Sequence, residues 1–364
     1  MADLTAAVGN LGQKALRRLL SIHKPLVRQV RRRERARQQA AILSRALSAE
    51  MLIAQAVAGG GPVIAGPWLA EVGYEAMYWL PFLRWVQDRY RLHPSRVIAV
   101  SRGGVEHWYQ PLAHRYVDLF DQISPTDLAV RNQRRQNEAE GGGRKQTSAT
   151  SLDEELLAGV RRVTGAADAS VLHPALLFQL FRDVWQGNLA HDFFWTRTDY
   201  TLMPRPPRPD LAGLPDDYIA VKFYTGAALP DSPQNRQRLR TLVARLAERS
   251  RVVVLDTGLS VDDHGDYTFA DLPGVVHAQQ WMTPRTNLGV QTALIAHSST
   301  YVGTCGGLAW LAPFLGVPTV GVYADDRLLT SHLLLARQAG RRAGAAEFMP
   351  LDMRALEVVD VAPR

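Results

Sequence analysis

The chain has 364 residues, 46% of them hydrophobic, and a formal charge of +7, which is enough chain for two domains with full cores. Residues 1–40 hold ten Lys or Arg against Asp3 and Glu34, so that segment is +8 by itself and the remainder about −1. The basic balance therefore belongs to an N-terminal segment, which argues against a globular body built to bind nucleic acid. Cys305 is the one cysteine, which excludes an intrachain disulfide and a cysteine zinc cluster and fits a reducing cytoplasm. No uninterrupted apolar run reaches bilayer length, and no leader pattern of apolar core and small-residue cleavage site is visible.

Residues 1–57 read as a basic helical extension, with Leu16, Leu19, Leu20 and Ile22 set among Arg17, Arg18 and Lys24. A basic amphipathic helix over residues 10–40 can lie on an anionic membrane, which would make a cytoplasmic protein peripheral at the inner membrane face. The same residues also read as a solvated, partly disordered basic tail. Nucleic acid is the weakest partner there, because no aromatic side chain is present to stack on bases.

Residues 58–203 read as a first domain. Pro62 to Ala65 is a short strand, Gly66-Pro67 a turn, and a helix from near Gly73 runs through Trp85 with a kink or break at Pro81. Arg96 to Val100 is a second strand, followed by the loop Ser101 to Gly104, so the unit is β–α–β and implies a parallel sheet. Ala129 to Ser151, with Gly141 to Gly143 in its middle, reads as a mobile polar loop. Helices are expected over Asp153 to Val163 and Ala175 to Gln186, and a strand end at Val171 to Pro174. Pro204 to Pro209 is a stiff linker.

Residues 210–364 read as a second domain. Strands are expected over Tyr218 to Phe223, Val252 to Asp256, Val275 to Ala278, Thr300 to Gly303 and Thr319 to Tyr323. Helices over Pro233 to Arg249, Thr286 to His297 and from Gly307 alternate with them. That is a doubly wound, Rossmann-like α/β sheet, whose ligands sit outside the carboxyl ends of the strands. Lys222, Asp256 to Gly258, His277 and Gly303 to Gly307 all fall at those ends. The stretch Tyr301 to Tyr323 reads as strand, glycine turn, helix and strand. Its turn either allows tight helix–sheet packing or presents backbone N–H groups to a phosphate.

Two Rossmann-like domains joined by a proline-rich linker resemble the GT-B glycosyltransferases. The segments Ala220 to Tyr224 (AVKFY) and Asn287 to Tyr323 resemble the nucleotide-sugar-binding domain of that class, including its heptosyltransferase-like and fucosyltransferase-like members. The likeness covers residues 215–325 well and residues 62–110 only in a general way. It implies a nucleoside-diphosphate-sugar donor, a glycan or lipid-linked acceptor, a role in polysaccharide biosynthesis, and no cofactor or metal. The diphosphate would lie against Thr304, Cys305, Gly306 and Gly307. Lys222 and Arg285 would be its cations, and Asn287 and Gln291 would touch base or ribose, unless they merely cap and solvate their helix.

The first domain would supply the acceptor site and a base. Glu71 is the leading candidate, with Glu75 and His107 as alternatives, because transfer needs a carboxylate or imidazole within reach of a hydroxyl. Trp68 and Arg102 would meet the acceptor, Trp68 by stacking and Arg102 by binding phosphate or another charged group. Tyr74, Trp108 and Tyr109 are further aromatic candidates, although core packing is the commoner fate of a Trp. Asp262, Asp263, His264 and Asp266 resemble metal ligands but read better as a solvated acidic loop. Cys305 reads as a small buried residue in preference to a nucleophile. Two other readings keep the fold: a non-catalytic sugar-nucleotide or glycan-binding protein, and a nucleotide-sugar epimerase. No phosphate loop, zinc helix pair, dinucleotide fingerprint or serine elbow is present.

Overall fold

A computed structural model describes residues 2–138, 145–259, 264–327 and 329–355. Gly141 to Gly143, Asp262 and Asp263 lie outside the described residues. The chain divides into two compact units, residues 1–51 and 52–364. One helix runs from Ala2 to Ala58. From Leu26 onward it contains neither Gly nor Pro and is dominated by Ala, Arg, Gln and Leu, which favour helix. Arg28, Arg31, Arg32, Arg33, Arg35 and Arg37 are exposed. Within Val27–Ala58 one window reaches a mean hydropathy of 1.3, so by length and composition alone this segment is apolar enough to cross a membrane. Scanning for uninterrupted apolar runs missed it, because charged residues such as Arg45 and Glu50 break them.

The unit of residues 52–364 contains two parallel sheets. The first comprises β1 (Val63–Ala65), β2 (Val97–Ser101), β3 (Arg115–Asp118) and β4 (Ser170–Leu172). Its order is β3-β2-β1-β4, with Ala65 beside Ala99 on one side and Leu172 on the other. The second comprises β5 (Ile219–Lys222), β6 (Val252–Val254), β7 (Val275–His277), β8 (Thr300–Thr304), β9 (Thr319–Tyr323) and β10 (Phe348–Asp352). Its order is β10-β9-β8-β5-β6-β7, all parallel. Numbered from its own first strand, this is the Rossmann order, and the first sheet repeats its first four positions. The strand order reverses between β5 and β8, where Lys222 lies beside Gly303.

Three elements depart from expectation. β3 and β10 are edge strands with exposed or half-exposed residues, and β10 contains Pro350, so neither shows an apolar run. Pro125–Glu138 is a helix, although its second half was expected to be loop. Its buried stripe is Leu128, Asn132 and Arg135, which has helical spacing but is mostly polar.

Pro81 does not break its helix. Val72–Tyr74 passes through a π-helical turn, Glu75–Trp79, into Leu80–Tyr90, with Leu80 N donating to Glu75 O. Proline has no N–H for Met77 O and would crowd that carbonyl. The widened turn accommodates the ring. Met77 O instead accepts Tyr200 OH at 2.6 Å, and Pro81 O accepts Asp199 N at 3.0 Å.

The helix Thr330–Ala343, which follows β9, returns to the first sheet's side. His332 meets Tyr74 OH at 3.1 Å and Tyr78 OH at 2.5 Å, and the Arg342 guanidinium lies 4.8 Å from the Trp195 ring centre.

Candidate functional site

A cleft of about 820 Å³, counted out to its open mouth, lies where the carboxyl ends of the two sheets meet. Glu71, Gly73, Arg102 and Phe120 come from the segments that follow β1, β2 and β3, Lys222 ends β5, and Tyr224 and Thr257 come from the segments that follow β5 and β6. Asn287, Leu288 and Gln291 come from the helix Asn287–Ala296, and Gly307 and Leu308 follow β8. Among the described residues, its lining includes two cations, Arg102 and Lys222, and two carboxylates, Glu71 and Asp266.

Lys222 ends β5 at the point of strand reversal. Its ammonium pairs with Asp266 Oδ1 at 3.0 Å and donates to Leu255 O at 2.8 Å. Asp266 also accepts Thr257 N at 2.9 Å and Thr257 Oγ1 at 3.2 Å. The cation expected at this strand end is thus already paired, by a residue that the sequence placed in a solvated loop. An antiparallel bridge between Tyr224 and Asp266 holds that loop against the strand end.

The glycine turn is shorter than expected. β8 runs through Thr304, and the turn residue Cys305 is still tied to the sheet, its N donating to Val322 O at 2.8 Å. Thr304 Oγ1 accepts Tyr224 N and donates to Tyr224 O. The turn proper is Gly306 (φ 132°) and Gly307 (φ 45°), conformations that suit glycine. Burial pushes the Cys305 thiol up to about 12, which keeps it protonated. From Gly307 a short helix tightens at Ala312 into a 3₁₀ turn that accommodates Pro313.

Glu71 faces the cleft. Its carbonyl accepts Tyr74 N and Glu75 N at the start of the helix, while its side chain makes no capping bond. Arg102 is 7% exposed, and its guanidinium donates to Trp68 O and Ala70 O, so it braces the loop that carries Glu71. Lys145 lies over the rings of Tyr74 and Trp185 and feels the Glu71 charge.

Glu75 is elsewhere. It is fully buried and accepts Ser101 Oγ and Tyr109 OH, each at 2.6 Å, on Oε1, while Oε2 has no hydrogen-bond partner among the described residues. Burial raises its carboxyl to about 7. It does not line the cleft, and its bond to Ser101 tethers the end of β2, next to the Arg102 loop.

Asn287 and Gln291 line the cleft, 7% and 1% exposed. The Gln291 amide nitrogen donates to Asn287 O at 3.1 Å, an acceptor only, which fixes the amide orientation. Of the expected glycine-turn residues only Gly307 lines the cleft, while Thr304, Cys305 and Gly306 line a neighbouring hollow, and three further expected residues are not brought to the cleft either. Trp68 is fully buried, stacked on Trp79 and Phe178, because its ring fills the core behind β1. His107 Nε2 bonds Pro204 O in the linker at 2.7 Å. Arg285 pairs with Asp121 at 2.9 Å, with its side chain 64% exposed. Trp108 and Tyr109 are also core residues. Among the described residues, no group of three or more His, Cys, Asp or Glu is placed to hold a metal ion.

Tyr224, His264, Asp266 and Phe120 were not read as ligand-site residues, and Thr257 only as part of a strand end that a crevice could collect. Tyr224 had a signal, since it lies two residues from Lys222 along an extended segment and so shares its face. Phe120 had none, because it depends on the unrecognised edge strand β3.

No protein-family model and no curated protein matches the chain. Solved structures do match, among them heptosyltransferases and other glycosyltransferases. The ADP-heptose heptosyltransferase II of E. coli is 14% identical, covering 79% of this chain and 90% of that one, with a TM-score of 0.40. The E. coli heptosyltransferase WaaC, solved with ADP, is 13% identical, covering 82% and 98%, with a TM-score of 0.41. A UDP-GlcNAc 2-epimerase from Methanocaldococcus jannaschii is 11% identical, covering 82% and 91%, with a TM-score of 0.32. These likenesses are loose, and the functional reading rests on the residues of the cleft.

Proposed function

We propose that the chain is a glycosyltransferase that moves a sugar from a nucleoside-diphosphate sugar to a hydroxyl of a glycan or lipid-linked acceptor, without a metal ion. One observation carries this reading. A single cleft opens both at the strand reversal between β5 and β8 and onto the loop after β1, so a nucleotide held by one sheet would meet a carboxylate from the other.

In this reading Asn287 and Gln291 line the nucleoside end, and Lys222 with the Gly306-Gly307 turn meets the diphosphate. A diphosphate would compete with Asp266 for the Lys222 ammonium. The acceptor hydroxyl attacks the anomeric carbon, the bond from that carbon to the phosphate oxygen breaks, and the nucleoside diphosphate leaves with the bonding pair. Glu71 takes the hydroxyl proton. Lys222 and Arg102 offset the charge that grows on the leaving group. The basic residues 10–40 would hold the enzyme on an anionic, cytoplasmic membrane face during polysaccharide biosynthesis.

The test combines thermal-shift binding of UDP, ADP, GDP and dTDP with product analysis from labelled nucleotide sugars, with and without acceptor glycans. One nucleotide should stabilise the protein, Lys222→Ala should weaken that effect, and Glu71→Gln should abolish transfer while keeping binding. No stabilisation by any nucleotide or nucleotide sugar would overturn the reading. Conversion of the donor without acceptor would mark an epimerase, and binding without turnover a binding protein.

A further inference from the structure

A separate cavity of about 760 Å³, counted out to its open mouth, lies between the short helix after the Gly306-Gly307 turn, the helix Thr330–Ala343 and the start of β10. Among the described residues it shares none with the cleft. Large apolar side chains wall it on one side. Trp310 and Phe314 are buried and follow the glycine turn, Met77 comes from the π-helical turn, and Phe348 from β10 lies 5.2 Å from Trp310 between ring centres. The helix Thr330–Ala343 answers them with two small residues, Ala336 and Gly340. Outside its own helix, a β-carbon placed on Gly340 would meet only Ala345 Cβ, at 3.7 Å, so the space in front of it is open. Protein interiors leave few voids of this kind, and small residues opposite large ones keep this one unfilled.

Arg337 and Arg341 also line the cavity, one helical turn apart, and both are exposed, so they stand at its mouth. Neither guanidinium has an ion pair or hydrogen bond to a described residue. Glu347 is the one carboxylate of the lining among the described residues, and it too is exposed and unpaired. The mouth therefore sets two guanidiniums against one carboxylate, above an apolar floor. Aromatic and thioether groups adapt to a flexible apolar chain, and neighbouring guanidiniums match the oxygens of a phosphate. We propose that this cavity binds the apolar chain of a phosphate-bearing amphiphile, with the phosphate on Arg337 and Arg341. Nothing in this assignment depends on what the cleft binds.

Gly340→Leu fills the cavity from a position with room for a side chain, and Arg337→Gln with Arg341→Gln removes exposed, unpaired charges, so both proteins should fold. Calorimetry on the full chain would use dodecyl phosphate, free in solution and embedded in phosphatidylcholine vesicles, with monolaurin as the uncharged chain and inorganic phosphate as the head alone. The expected result is saturable binding of dodecyl phosphate that Gly340→Leu weakens by about tenfold or more. The double arginine variant should weaken dodecyl phosphate by a similar factor and leave monolaurin within about twofold of wild type. Binding from solution assigns a monomeric ligand, and a Gly340→Leu loss seen only with vesicles assigns an amphiphile presented by a bilayer. No binding in either form, inorganic phosphate bound as tightly as dodecyl phosphate, or an affinity for dodecyl phosphate that either variant leaves unchanged would overturn the proposal. Equal loss of dodecyl phosphate and monolaurin in the arginine variant would remove the phosphate from Arg337 and Arg341 and overturn it as well.

Discussion

A β-carbon placed on Gly73 would lie 2.8 Å from the backbone nitrogen of Gly307 and 2.9 Å from the Trp310 ring. The helix start after β1 and the turn after β8 therefore touch backbone to backbone, and both glycines line the cleft. Alanine is the better helix former by about 1 kcal/mol, so a helical glycine normally gains from this change. Here the backbone cannot yield cheaply, and overpacking should dominate. Gly73→Ala should destabilise the protein by about 1–3 kcal/mol in urea unfolding and weaken nucleotide binding as well. A stabilised variant would show that the two segments separate easily.

Glu75 and His332 make opposite contributions to acid stability. Burial raises the Glu75 carboxyl from 4.5 to about 7, so the folded state holds a proton that the unfolded state releases. Its stabilising effect is full below pH 4.5 and is lost as pH rises through 7. Burial lowers His332 from 6.5 to about 4, so its stabilising effect is full above pH 6.5 and is lost as pH falls through 4. Each effect is on the order of 3 kcal/mol, and in the wild-type chain they offset. Glu75→Gln should therefore lose stability on acidification from pH 6.5 to 4.5, and His332→Gln should gain it, relative to wild type. Urea midpoints at four pH values would decide the matter, and parallel curves for all three proteins would refute it.

Tyr200 replaces the partner that Pro81 cannot provide to Met77 O. Its ring also stacks on Phe314, 6.0 Å between centres, and Phe would keep that packing. Tyr200→Phe should cost about 1–2 kcal/mol, the usual penalty for leaving a buried carbonyl unpaired. A change below about 0.5 kcal/mol in equilibrium unfolding would mean that the carbonyl finds another donor.

Cys305 should be inert in the native protein. Burial moves its pKa from 9 to about 12, and the residue is 2% exposed. Alkylation by iodoacetamide at about pH 8 should be at least a hundredfold slower in folded than in urea-unfolded protein, because the thiolate is the reacting form. Comparable rates would show a reactive thiol at the end of β8.

The alternation of apolar strands with helices was legible because parallel strands buried on both faces carry uninterrupted runs, as in Val252–Val254 and Thr319–Tyr323. That pattern also located Lys222, Glu71 and the glycine turn at strand ends. Edge strands and the polar-striped helix Pro125–Glu138 stayed hidden, since their burial depends on neighbours and not on apolar periodicity.

Tertiary structure alone sorted the aromatic residues, sending Trp68 to the core and Tyr74 to the wall of the hollow beside the cleft. It also set His332 between Tyr74 and Tyr78, and Asp266 against Lys222. Sequence by itself determined which residues end the strands, because strand ends follow from local runs and turns. Which of those ends face one another is decided by strand order and by long-range packing of segments as far apart as Glu71 and Gly307, and local pattern carries no record of that.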